Sequence, residues 1–242
     1  MANVLSFLLF ATIILYSGKS FSKHSECNFV IPVGDNYYPY MYRDNNNHYT
    51  GLDYDLFLRS AKRLACDVEH VLKIPVKRLV HNNKNLPINT VLAVTPNEAR
   101  KGVYLFSAPY RQETIRPVFL RSKLLEHKTI HSLFRQIDRI GYYESGYYGE
   151  EFEKLRQEFK HKLVHIESTR IALEMLKLNR ITVFLGDPVN VSYIAEMQGM
   201  QNVFVSPLLL VQQDISFAFD KSIFNDGFVN RFNEALYKEM NK

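Results

Sequence analysis

Apolar positions along this chain fall into short blocks that alternate between two spacings. Residues 29–33 and 68–74 are brief apolar runs and predict strands. Between them, apolar side chains at 52, 56, 57, 61 and 64 recur at helical spacing and predict a helix from about Gly51 to Leu64. The run 88–94 predicts a short buried strand. It stops at Thr95-Pro96, because proline cannot donate to a ladder and restrains the residue before it. A second short apolar run follows and ends in Phe106-Ser107-Ala108-Pro109-Tyr110. Farther on, strands are predicted over 117–121, 140–143, 163–166, 180–186 and 215–219. Helices are predicted over 130–137, 150–160, 169–178 and 224–239, with another starting at Asp187-Pro188. This alternation predicts an α/β protein with parallel sheets, and no internal repeat or low-complexity tract interrupts it.

The amino terminus carries a different pattern. Residues 4–16 form an apolar run too short to span a bilayer comfortably, followed by a small, polar stretch. We read residues 1–22 as a secretory signal peptide cleaved before Lys23, with an uncleaved anchor as the alternative, since a basic leading segment is missing. Cys27 follows His24-Ser25-Glu26, which is not a lipid-attachment pattern, so a soluble exported product is expected. Cleavage would leave 242 − 22 = 220 residues, enough for one large domain or two modest lobes. The formal charge of +5 would fall to +4 and is scattered, which argues against nucleic acid as a partner. Cys27 and Cys66 each precede a strand of one β-α-β unit, whose strand starts lie side by side. In an oxidising compartment a disulfide follows; two free thiols are the alternative.

Candidate chemistry centres on Thr95-Pro96-Asn97-Glu98-Ala99-Arg100. A strand ending in a hydroxyl and then a guanidinium can hold a carboxylate: arginine offers two parallel donors and Thr95 a third. From the residues alone, a solvated surface role for Arg100 stays open. The order Thr-x-x-x-x-Arg, then Phe-Ser-x-Pro-Tyr, resembles the bacterial periplasmic solute-binding proteins of the polar amino-acid type. Tyr38-Pro39-Tyr40 and Gly51-Leu52-Asp53-Tyr54-Asp55-Leu56 are similar to the same family at matching distance. One departure is local: many members read Thr-Pro-Glu-Arg, so either Asn97 replaces the usual threonine or two residues are inserted.

The resemblance implies a two-lobed periplasmic-binding-protein type II fold, each lobe a mostly parallel sheet flanked by helices, with a two-strand hinge. Lobe one would comprise 23–115 and 214–242, and lobe two 116–213. It also implies that Thr95 and Arg100 hold a ligand carboxylate, with Asn97 beside them. Tyr37 and Tyr38 would stack on the ligand, and the turn Glu144-Ser145-Gly146 would contact it from lobe two. Asp187 would receive an ammonium; by position it is also a good N-cap with proline at the first helical residue. Arg78 matches an arginine some relatives carry near the cleft. Asp53 and Asp55 are expected to act structurally, favouring the dipole of the helix they begin.

The function implied is a non-enzymatic periplasmic binding protein, monomeric and without cofactor. It would deliver an amino acid or similar small polar solute to a membrane permease of the ABC type. Two alternatives share the scaffold: a cyclohexadienyl-dehydratase-like enzyme, for which Glu144 would be the general acid or base, and a ligand-reporting partner of a membrane sensor. Metal binding is not expected: His127 with His131, and His161 with His165, have i, i+4 spacing but no third ligand.

Overall fold

The computed structural model describes residues 27–33, 37–72, 86–120, 127–144 and 146–242. The segment 1–22, Arg78 and Ser145 lie outside the described residues. The chain opens with β1 (Asn28–Val33), followed by the short pair β2 (Tyr42–Arg43) and β3 (Tyr49–Thr50), then α1 (Leu52–Arg63) and β4 (Asp67–Leu72). β1 and β4 run parallel in register from Asn28↔Asp67 to Val33↔Leu72, with the crossover helix α1 lying between them in sequence. The expected Cys27–Cys66 disulfide is present at the paired strand starts, with 4.7 Å between the Cα atoms.

Next come β5 (Thr90–Val94), the single-turn α2 (Glu98–Lys101), β6 (Tyr104–Phe106) and the long β7 (Arg111–Phe119). The following segment holds α3 (Ile130–Gln136), β8 (Ile140–Tyr142), α4 (Gly149–Glu158), β9 (Leu163–His165), α5 (Thr169–Lys177), β10 (Val183–Gly186), α6 (Pro188–Met197) and β11 (Phe204–Val205). The chain then returns through β12 (Val211–Asp220) to α7 (Asp226–Met240).

Two separate cores explain the two lobes. In the first, the fully buried Phe29 lies at the centre of an aromatic cluster, its ring 5.0 to 5.9 Å from those of Phe57, Phe219, Phe224, Phe228 and Phe232. These residues come from β1, α1, β12, the turn before α7 and α7 itself, so this core joins the beginning of the chain to its end. Rings of this size meeting edge to face contribute beyond their buried area, about 0.5–1.5 kcal/mol per pair. In the second lobe the β7-β10-β8-β9 sheet carries a core on each face. Leu133, Phe134 and Phe152 of α3 and α4 pack on one side, and Leu173, Leu176, Val191 and Ile194 of α5 and α6 on the other.

Strand pairing is mixed rather than mostly parallel. β1–β4, β8–β9 and β8–β10 are parallel. The two long strands pair antiparallel with each other, from Val211↔Ile115 to Ile215↔Arg111, and each also has antiparallel neighbours. β7 and β12 link the lobes, and both start earlier than hydropathy indicates: β7 at Arg111 instead of 117, β12 at Val211 instead of 215. Between the cores these strands have no apolar layer to cover, so Arg111-Gln112-Glu113-Thr114 and Gln212-Gln213-Asp214 are polar while paired as strand.

Candidate functional site

Three tyrosines of the first lobe approach the start of α6 in the second. Tyr37 and Met41 close a tight turn through Tyr37 N–H to Met41 O (2.7 Å) and Met41 N–H to Tyr37 O (2.9 Å). The turn is fixed to α1 because Asp53 N–H donates to the Tyr40 carbonyl (3.0 Å). Gly51 makes this approach possible: it sits at φ 129°, and any Cβ there would collide with the Tyr40 backbone. Held this way, Tyr40 is buried, and its hydroxyl donates to Asp187 Oδ2 at 2.7 Å.

Asp187 is the N-cap of α6, as its sequence context predicts. It accepts N–H bonds from Val189 (3.1 Å) and Asn190 (3.3 Å), with Pro188 in the first turn. Asn190 also crosses between lobes, donating its side-chain amide to the Tyr38 carbonyl, while its own carbonyl accepts from the Thr169 hydroxyl. The Tyr38 ring stacks on Tyr42 (4.3 Å) and on Tyr193 of α6 (5.7 Å). The tyrosine turn and the α6 N-terminus are thereby joined by two hydrogen bonds and a ring stack.

Beneath them, the linking strands supply charge. Successive strand residues point to opposite faces, so Arg111 and Glu113 share one face, with Gln213 opposite Glu113 in register. Arg111 holds Asp53 in a forked pair, Nε to Oδ1 at 2.9 Å and Nη2 to Oδ2 at 3.0 Å, and its guanidinium lies 3.8 Å over the Tyr40 ring. Glu113 accepts from the Tyr37 hydroxyl at 2.7 Å, from Gln213 Nε2 at 3.3 Å, and at 3.4 Å from Arg111 Nη1.

Asp53 therefore does more than serve a helix dipole. The residue is 1 % exposed and its carboxylate is committed to Arg111, whereas Asp55 bonds locally to Thr50 Oγ1 and Gly51 N. Arg111, Glu113, Gln213 and Tyr40 were not among the residues expected from sequence. The available signal was the Arg-x-Glu spacing directly after Pro109-Tyr110, which on a strand places both charges on one face.

Burial governs the ionisation of this group. It raises the pKa of Asp187, and the nearby Glu113 charge adds to this, against hydrogen bonds from Tyr40, Val189 and Asn190. It raises Tyr37 well above its ordinary value, with the Glu113 and Asp187 charges adding, so its hydroxyl remains a donor. Burial would lower Arg111, but the charge and hydrogen bonds of Asp53, with Tyr110 and Tyr37 adding, hold it firmly protonated.

The Thr95–Arg100 motif forms a second group. Asn97 caps α2, its side chain accepting the Arg100 N–H at 2.9 Å, and Arg100 Nη1 donates to the carbonyl of the buried Thr95 at 2.8 Å. Burial lowers the Arg100 pKa; the neighbouring Tyr104 and Tyr147 hydroxyls oppose this. In the turn before α4, Gly146 N–H donates to the Tyr143 carbonyl at 3.1 Å. Glu144 Oε2 lies 4.0 Å from His165 Nε2. His131 Nε2 lies 3.3 Å from Glu158 Oε2, and no group of three or more potential metal ligands occurs among the described residues.

Comparison with known proteins identifies the family and the fold. The family model described as bacterial extracellular solute-binding proteins, family 3, matches residues 29–242. Holo ArgBP from T. maritima is similar in fold, at TM-score 0.71 and 19% identity over 87% of this chain and 89% of that one. A histidine kinase sensor domain with similarity to periplasmic binding proteins gives TM-score 0.72 and 18% identity, covering 87% of this chain and 89% of that chain. The ancestral amino acid-binding protein AncCDT-1, a precursor of cyclohexadienyl dehydratase, gives TM-score 0.69 and 21% identity over 89% and 90%. No curated protein sequence matches. With the family match spanning both cores and both linking strands, the chain belongs to the bacterial extracellular solute-binding proteins of family 3.

Proposed function

We propose that this protein captures an amino acid or a similar small polar solute between its two lobes. Lobe one comprises 23–115 with 214–242, and lobe two 116–213. Arg100 and Thr95 receive the carboxylate, and Asp187 receives the ammonium, with Tyr37 and Tyr38 covering the guest. Asn97 and the turn 144–146, including Glu144, Ser145 and Gly146, border the site. The observation that carries this reading is Asp187: an acid 5 % exposed at a helix N-terminus, bonded across the cleft to Tyr40. A buried acid whose pKa is raised by burial gains from an ammonium that pairs with it. The solute then passes to a membrane permease or is reported to a membrane sensor, in an exported compartment such as the periplasm. Amino acids should raise the melting temperature of the protein, and Arg100→Ala should abolish that rise. Unchanged stabilisation in the variant overturns the Arg100 assignment.

Enzymatic turnover is the second reading, supported by the similarity to a dehydratase precursor. Its acid or base would be Glu113, whose side chain is 11% exposed, ahead of Glu144 at 39%. Release of product from a cyclohexadienyl carboxylate, lost in Glu113→Gln, would establish it; a stable substrate would dismiss it.

A further inference from the structure

We propose that Glu113 is a specificity-determining residue of the cleft, and that with Gln213 it selects guests carrying one net positive charge. This rests on the binding function proposed above. Five charged side chains of the proposed cleft are largely withdrawn from water: Arg100 and Arg111 are cations, and Asp53, Glu113 and Asp187 are anions, whereas Glu144, its side chain 39% exposed, is left to solvent and stays outside the sum. They sum to one net negative charge. A zwitterionic guest adds nothing to that sum, so closure over it leaves one acid uncompensated in a water-poor site, which is costly. A guest with net charge +1 brings the sum to zero.

Geometry indicates where the extra charge sits. Arg111 is committed to Asp53 through Nε and Nη2, and reaches Glu113 only by a longer contact of 3.4 Å. The closest donor to Glu113 is the neutral Tyr37 hydroxyl at 2.7 Å. Beside it, Gln213 donates its amide N–H to Glu113 at 3.3 Å, which turns its carbonyl oxygen Oε1 into a buried acceptor without a hydrogen-bond partner among the described residues. A buried carbonyl without a donor is uncommon and calls for one. A carboxylate and an adjacent orphan carbonyl together match the divergent N–H groups of a guanidinium or an ammonium. Both sit on the linking strands between the two cores, so the charged end of a guest held there would point inward past Tyr37 and Tyr40.

The discriminating probes are L-arginine and L-citrulline, which share a shape and differ in side-chain charge. Their binding to the full chain, measured by calorimetry, should differ at least tenfold in favour of L-arginine. Glu113→Gln should remove most of that preference by weakening L-arginine and leaving L-citrulline within about twofold. L-Citrulline binding within twofold of L-arginine to the unmodified chain overturns the proposal while the amino-acid function stands; this comparison needs no variant to fold. Equal weakening of both probes in Glu113→Gln also overturns it. Should neither probe bind while L-glutamine or L-glutamate does, the charge selection is wrong and the function survives. Should none of the four bind, both readings fall.

Discussion

Tyr40→Phe removes a single oxygen, the one that joins the lobes at Asp187. A hydrogen bond to an ionised group contributes about 1.5–3 kcal/mol net, and this one is short (2.7 Å) with both partners buried. The phenylalanine ring keeps its face toward the Arg111 guanidinium at 3.8 Å, so the cation–π contact is retained and does not confuse the measurement. Asp187 Oδ2 then keeps only the longer bond from Asn190 N–H (3.3 Å) among its described donors. In a chain of this size each kcal/mol moves the melting temperature by about 2–4 °C, so a fall of about 3–12 °C is expected. The specific assay is a double-mutant cycle in urea with Asp187→Ser. Serine retains an N-cap acceptor for α6 but is too short to reach Tyr40. The two single changes should share a coupling of about 1.5 kcal/mol or more, since each removes the same bond. Scattering in solution should also show a larger radius for Tyr40→Phe, because the lobes lose a latch. Additive effects, with coupling within about 0.3 kcal/mol, would refute the claim that this bond links the lobes.

Two further outcomes follow from the geometry. Arg111→Met should destabilise by about 3–5 kcal/mol, the usual result of removing one partner of a buried pair and leaving the other, Asp53, uncompensated; a loss under about 1 kcal/mol in urea would show the pair to be dispensable. Cys27→Ser with Cys66→Ser should cost about 4 kcal/mol by loop entropy for a separation of 39 residues. An unchanged melting temperature on reduction would mean that β1 and β4 hold the unfolded ends together without the bond.

The sequence is most legible where packing and local chemistry agree. The apolar spacing from Leu52 to Leu64 yields α1, and Asp187-Pro188 yields the capped start of α6, because each signal is completed within a few residues. The disulfide is legible for a related reason, since a β-α-β crossover fixes which strand starts adjoin. The linking strands are not. Arg111 to Thr114 lie between two cores and bury no apolar face, so hydropathy reads a loop where register pairs a ladder. Asp53 shows the same limit. Its position in a first turn is sufficient reason for an acid, and only the three-dimensional path of β7 reveals that Arg111 stands opposite. Of the residues singled out by motif spacing, Tyr37, Tyr38 and Asp187 make contacts that depend on long-range pairings which spacing does not contain.

The way the first core is assembled bears on how the protein is made. Its central strand, β12, and its last helix come from the final thirty-odd residues of the sequence, and Phe217, Phe219 and Phe232 have no exposed surface. Until those residues are in place, β1 and α1 have their aromatic face uncovered. The contiguous second core, between β7 and β11, has all its parts much sooner. The second core can therefore close without the first, and a polypeptide that terminates prematurely before Val211 would leave the earliest-made half with nothing to close upon.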